Sequence, residues 1–152
     1  MLADVPDPEI PVLSILDLGI VRAVHVTADG TVEVGLAPTY SGCPATEVIR
    51  RQVSDALNAS GFVQQRLFEV LSPPWTSDWI TPEGRDKLLA YGIAPPADSV
   101  AHPRHLRGSV PIVCPRCRSE RTSRVSEFGS TPCKALHRCH ECLEPFELFK
   151  CI

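Results

Sequence analysis

Apolar and polar positions alternate most clearly between residues 20 and 37. Val32, Val34 and Leu36 are separated by Glu33 and Gly35, and Val24 and Val26 repeat that spacing upstream. A period of two is that of a strand with one buried face. Ala28-Asp29-Gly30 between the two runs is a turn sequence, so the pattern predicts a hairpin over 20–27 and 31–37. Val24 and Val26 should then share the buried face. After residue 44 the period lengthens. Ala45, Val48, Ile49, Gln52, Val53, Ala56 and Leu57 recur at three- and four-residue steps, which predicts an amphipathic helix. Pro44 suits the first helical position, Cys43 becomes the expected N-cap, and Gly61 the stop. A third strand is expected over roughly 65–71, and a short helix from Thr81 or Pro82 to Tyr91. Near the start, Asp7-Pro8-Glu9 has a cap residue followed by proline. One or two helical turns should follow, limited by Pro11, with an exit through Asp17-Leu18-Gly19.

Periodicity lapses from about 92 to 111, where Pro95, Pro96, Pro103, Gly108 and Pro111 fall. Such a stretch predicts a linker. It divides the chain into a domain over 1–91 and a small module over 112–152. In the module, 122–128 and 134–138 look like strands, Gly129 fits a turn, and the tail from 146 can add a third strand. The fold class expected is α+β: a small two-layer α/β domain of hairpin, helix and third strand, followed by the module.

Composition narrows the picture. Of 152 residues, 43% are hydrophobic and 22% charged, as in a globular protein. A formal net charge of −3 gives no general attraction to nucleic acid or anionic membranes. No apolar run approaches a membrane span. The first residues carry neither a basic region nor an apolar core, so no export signal is expected. The tail Phe149-Lys150-Cys151-Ile152 does not match a prenylation box. The protein is expected in the cytoplasm, where its seven cysteines serve as metal ligands more often than as disulfides.

Their spacing carries the strongest chemical signal. Cys114-x-x-Cys117 and Cys139-x-x-Cys142 are two knuckles about twenty residues apart. Each presents two thiolates, and together they complete a tetrahedral set for one structural zinc ion, as in a zinc ribbon. So small a module buries little core, so the metal must supply much of its stability. Ribbons often place glycine after the second cysteine of a knuckle, where positive φ is useful; here Arg118 and Leu143 stand there. Cys133 and Cys151 are expected as small buried apolar residues; the alternative is that they are additional ligands, to an iron–sulfur cluster. His137 and His140 should face solvent because four cysteines already complete the set. From Val110 onward seven Lys and Arg face five Glu, a difference of +2. A zinc tetrathiolate contributes about −2, so the module is near neutral and poorly suited to nucleic acid. It is expected to dock protein or to be purely structural.

Cys43 is the second candidate. It lies in Pro38-Thr39-Tyr40-Ser41-Gly42-Cys43-Pro44, between a buried strand and a helix. A helix N-terminus favours a thiolate there. Thr39 and Ser41 add hydroxyls, and Asp17 could lie close. A packed, inert cysteine is the alternative from local chemistry alone. No second cysteine accompanies Cys43 in a C-x-x-C pair, and no phosphate-binding loop or nucleophile elbow appears. His102 and His105 belong to the linker. Trp75 and Trp79 should pack, or else form a partner-binding patch.

Asp7-Pro8-Glu9-Ile10-Pro11 leading to Asp17-Leu18-Gly19, then a hairpin and Pro38-Thr39-x-x-Gly42-Cys43-Pro44, resembles a small iron–sulfur-assembly family of cluster-targeting factors. The resemblance implies that Cys43 takes part in metal or cluster transfer, with Asp17 and Thr39 lining its pocket. Residues Pro74 to Ile80, Phe128-Gly129-Ser130-Thr131, Cys133-Lys134-Ala135-Leu136 and the Phe-Lys-Cys-Ile tail further resemble the PaaD branch, which accompanies phenylacetyl-CoA epoxidase in phenylacetate degradation. That branch implies a non-enzymatic accessory or maturation factor for the oxygenase, assisting assembly of its iron or iron–sulfur centre. The alternative is a non-catalytic structural component of the epoxidase complex. It also implies oxygenase or reductase components as partners, a transient iron or iron–sulfur cargo beside the structural zinc, no nucleic acid and no membrane, with a homo-oligomer left open.

Overall fold

The computed structural model describes residues 1–40, 42–96 and 112–151. The chain forms two compact units, Met1–Trp75 and Thr76–Ile152.

In the first unit, β1 (Val21–Val26) and β2 (Val32–Leu36) form the expected antiparallel hairpin. Gly30 turns the corner with φ of 85°, and Asp29 accepts from the Thr31 N–H at 3.3 Å. The helix α1 (Ala45–Ala59) crosses over to β3 (Gln65–Glu69), which lies parallel to β2. Parallel neighbours require such a crossover. Ala45, Ile49, Val53 and Leu57 are the buried stripe of α1, and Val32, Val34 and Leu36 the buried face of β2. Arg50 reaches the Leu67 carbonyl at 3.2 Å and Gln65 reaches that of Ser54 at 3.3 Å, which ties the helix to β3.

Because of that tie, two positions depart from expectation. Val24 and Val26 sit opposite Val34 and Val32, as expected, yet are 53% and 68% exposed. The helix leans toward β3, and β1 is the opposite edge strand, so its outer residues stay uncovered. Alternation identifies a face but not whether another layer reaches it. On β2, Gly35 leaves space for its neighbours: a Cβ there would lie 2.8 Å from Val70 Cγ2 and 3.0 Å from the Phe68 ring.

The segment before β1 is largely coil rather than helix. The Asp7 cap is present: its Oδ1 accepts from the Glu9 and Ile10 N–H groups at 2.9 and 2.8 Å. The chain then turns instead of winding on, because Pro11 cannot donate to the next turn. Its apolar residues Ile10, Leu13, Ile15 and Leu18 are buried, and Trp75 closes over it with Nε1 donating to the Leu18 carbonyl at 2.9 Å. Trp75 therefore packs; Trp79 is half-buried.

In the second unit, α2 (Pro82–Tyr91) begins at Thr81, whose hydroxyl accepts from the Gly84 N–H at 3.0 Å, and stops at Gly92 with φ of 92°. Next come β4 (Ile93–Ala94), β5 (Thr122–Ser126), β6 (Lys134–Cys139) and β7 (Pro145–Phe149), in a sheet of order β4-β7-β6-β5. Two of these positions were expected in the linker: Ile93 and Ala94 pair with Glu147 and Leu148 in parallel. A two-residue strand carries no periodic signal and exists only because a distant edge accepts it. The helix α2 belongs to this second unit, whereas the sequence suggested a first domain reaching residue 91. Residues 97–111 of the expected linker, with His102 and His105, lie outside the described residues, as does Ser41.

Candidate functional site

The two knuckles converge. Their four Sγ atoms, from Cys114, Cys117, Cys139 and Cys142, all lie within 4.8 Å of one another. Cys117 is 3.4 Å from Cys139, and Cys114 is 3.8 Å from Cys142. Tetrahedral zinc with bonds of about 2.3 Å sets its sulfurs about 3.8 Å apart, so this donor set fits that ion. Arg118 and Leu143 adopt φ of 64° and 63°, the left-handed turn usually given to glycine. The Arg118 N–H thereby reaches the Cys114 carbonyl at 3.0 Å. The Cys139 sulfur accepts from the Glu141 N–H at 3.4 Å. Cys114 and Cys139 are buried with Ala94 and Phe146, and Ile112, Cys142 and Leu148 pack around them. The metal site is thus the centre of this unit's core.

Without a cation the sulfurs divide. Burial pushes the Cys139 thiol up, but the N–H groups of Cys142 and Glu141 and the sulfurs of Cys117 and Cys142 outweigh it, and Cys139 falls to about 6. For Cys142 the Glu144 N–H favours the thiolate, yet burial and the sulfurs of Cys139, Cys117 and Cys114 push it up to about 12. Several thiolates share this space only when a cation is among them.

The left-handed knuckle positions carry strain that can be relieved. A left-handed residue with a side chain costs about 1–2 kcal/mol, against about 0.5–1 kcal/mol for glycine's greater freedom when unfolded. Leu143 is 61% exposed and loses little packing. Leu143→Gly is expected to stabilise the metal-loaded second unit by about 0.5 kcal/mol, read as a higher thermal midpoint. A lower midpoint would mean that the leucine contributes contacts worth more than the strain.

Cys133 is buried as expected, its sulfur 3.1 Å from Thr131 Oγ1, but Cys151 is exposed, against expectation, because it lies beyond the end of β7 at Phe149. Neither belongs to the four-sulfur group. His140 is exposed as expected, but His137 is buried, its ring centroid 5.7 Å from that of Phe146. Burial, with Arg124 nearby, holds its imidazole below the usual range although Glu127 opposes this. His137, expected to face solvent, is covered because on β6 it has the parity of Cys139 and Ala135, and that face is the core.

One feature near the site has no sequence signal at all. Lys134 is buried, and its Nζ lies 2.9 Å from Glu147 Oε2. The same carboxylate accepts from the Ser130 N–H at 2.5 Å. Burial alone would push the Glu147 carboxyl up, but Lys134 and Ser130 together hold it below its ordinary value. A lysine and a glutamate far apart in the chain show no pattern until two strands pair.

In the first unit, Cys43 is half-buried ahead of α1. Gly42 turns with φ of 80°, and the Cys43 N–H donates to the Tyr40 carbonyl at 3.2 Å. Pro44 is already helical in conformation and holds the N-cap place. Cys43, expected as the cap, therefore stands one residue ahead of it, with its carbonyl accepting from the Thr46 N–H at 3.1 Å. The Thr39 hydroxyl is directed at its sulfur, 4.0 Å away. Asp17 is buried, its Oδ2 accepting from the Ser14 N–H and hydroxyl at 2.8 Å each.

Comparison with known proteins matches both halves of the chain. Residues 98–150 match the PaaD zinc beta ribbon domain, and residues 1–64 the iron–sulfur cluster assembly protein family. A protein of Escherichia coli (strain K12), named as one subunit of a "Putative 1,2-phenylacetyl-CoA epoxidase", is 50% identical over all of this chain and 90% of its own length. An "Fe-S protein maturation auxiliary factor" of Porphyromonas gingivalis is 38% identical over 58% of this chain and 84% of its own. The crystal structure of a domain of unknown function, DUF59, from Bacillus anthracis superposes with a TM-score of 0.53 at 26% identity, covering 57% of this chain and 83% of that one.

Proposed function

This chain belongs to the PaaD family of phenylacetyl-CoA epoxidase subunits, and from that premise we propose that it is a maturation factor for the epoxidase, assisting assembly of its iron or iron–sulfur centre. The observation that carries the proposal is Cys43, set on a glycine turn at the mouth of α1 with the Thr39 hydroxyl on its sulfur. Likeness to the assembly family falls on this part of the chain.

The chemistry is ligand exchange. The cargo is iron or an iron–sulfur cluster, held as a substrate rather than as a resident cofactor. The Cys43 sulfur takes one coordination position. Thr39 donates to the sulfur, and Asp17, held by Ser14, is the carboxylate that the likeness to the assembly family assigns to the same pocket. A client ligand displaces the thiolate, and no electron changes hands. Zinc, held by Cys114, Cys117, Cys139 and Cys142, supplies structure to the ribbon. The ribbon carries exposed Val125 and Phe128 and docks an oxygenase or reductase component. No described helix is long and apolar enough to cross a membrane, and the protein works with its partners in the cytoplasm.

Cys43→Ser removes the ligand with little change of volume. A strain carrying it is expected to lose growth on phenylacetate while the protein accumulates normally. Normal growth would overturn the role given to the thiol. A second function, as a structural component of the complex, is favoured by the name of the E. coli relative, which counts it among the epoxidase subunits. It is recognised by stoichiometric co-purification with an active oxygenase that Cys43→Ser leaves intact.

A further inference from the structure

The four metal thiolates are unequally protected. Cys114 and Cys139 have no solvent exposure, Cys142 is half-buried, and Cys117 is exposed. Hydrogen bonding separates Cys139 and Cys142 from Cys114 and Cys117, and of the latter two only Cys117 is exposed. Backbone N–H groups of Glu141 and Cys142 reach the Cys139 sulfur, and that of Glu144 reaches Cys142. Among the described residues the contacts of Cys117 Sγ are other sulfurs, with Cys139 at 3.4 Å. N–H···S bonds withdraw electron density from a thiolate, so the sulfur without them is the better nucleophile. Arg116 and Arg118 flank Cys117 and are exposed, so the potential around that sulfur is positive.

We propose that Cys117 is a modification site of the ribbon, where the metal-bound thiolate attacks peroxide and Cys139 completes a disulfide that releases the zinc. In the first step the Cys117 thiolate attacks one peroxide oxygen, the O–O bond breaks, hydroxide leaves and a sulfenic acid forms. In the second the Cys139 thiolate, already 3.4 Å away, attacks that sulfur. The S–S bond forms, the S–O bond breaks and a second hydroxide leaves. Solvent protons convert both hydroxides to water, and the two thiolates supply the two electrons that reduce one peroxide. Zinc, left with Cys114 and Cys142, dissociates. Because Cys114 and Cys139 sit in the core of the unit, its loss loosens the ribbon, which makes the ribbon a peroxide-responsive element independent of whatever Cys43 does.

The test uses the full chain loaded with one zinc, titrated anaerobically with hydrogen peroxide in the presence of a zinc-binding dye. About one zinc per peroxide consumed is expected, with a Cys117–Cys139 disulfide in the peptide map and recovery on adding dithiothreitol and zinc. Cys117→His keeps four ligands and should retain its zinc to about tenfold more peroxide. A map showing Cys114–Cys117 or Cys139–Cys142 as the first disulfide, or zinc retained while Cys43 and Cys151 oxidise, would overturn the proposal. If the histidine variant fails to bind zinc, the peptide map of the parent decides the matter by itself.

Discussion

Replacing Cys139 by serine is expected to unfold the second unit and spare the first. Cys139 is fully buried beside Cys114, Ala94 and Phe146, so its sulfur is both a metal ligand and a piece of core. Of the unit's other buried apolar residues, Ile80, Leu88 and Ile93 lie before the ribbon and Ala135 and Phe149 within it, and a ribbon of roughly forty residues does not stand on burial alone. A structural zinc contributes about 10–16 kcal/mol of apparent binding free energy in small cysteine modules, which rivals or exceeds the whole stability of an ordinary domain. Losing one of four ligands forfeits much of that. Hydrogen exchange is the direct measurement: amides of β4, β5, β6 and β7 should exchange near the unfolded rate. Those of β1 to β3 should keep their protection, because the first unit has its own core in Val34, Val53, Leu57 and Leu13. Removing zinc by a chelator should give the same map. If β6 and β7 stayed protected in metal-free protein, the ribbon would hold itself together without the ion.

Lys134→Ala should be strongly destabilising although it touches no metal ligand. Its ammonium is buried and paired with Glu147 at 2.9 Å. Removing one member of such a pair strands the other, at a cost of about 3 kcal/mol; the partial exposure of Glu147, 23%, puts this at the lower end. The double change Lys134→Met with Glu147→Leu leaves no unpaired charge and should recover most of the loss, as seen in exchange of the β6 and β7 amides. If the double variant were as unstable as the single one, the Glu147 link to Ser130 would matter more than the ion pair. The pair also sets a pH dependence. The folded carboxyl of Glu147 is held below the ordinary 4.5, so its contribution is complete above that pH. It fades as the pH falls from 4.5 through the lower folded value. The stability gap between the parent and Glu147→Gln should therefore narrow in acid, and a gap that widened would reverse the sign.

The knuckles, the hairpin and α1 were all legible in one dimension, for a common reason. Each is set by neighbours in the chain. Asp29-Gly30 turns between two β-branched runs, a 3.6-residue stripe defines α1, and the two C-x-x-C pairs set their sulfurs in matching knuckles. Arg118 and Leu143 show how far such reasoning carries: glycine is absent from both positions, yet both take the left-handed turn that the metal geometry requires. The resemblance of the Cys43 loop to an assembly family likewise rested on contiguous residues.

Other properties depend on which distant surface meets which. Val24 and Val26 alternate like core residues and remain exposed because α1 leans away from the edge strand. Ile93 and Ala94 look like linker and become a strand because β7 offers an open edge. His137 is covered because its face of β6 packs with Phe146, and Lys134 tolerates burial only because β7 brings Glu147 beside it. Local backbone preference and ligand spacing are written along the chain. Burial, pairing across strands and the unequal exposure of four chemically identical thiolates are decided in three dimensions, since each depends on free energies of contact between segments that the sequence holds far apart.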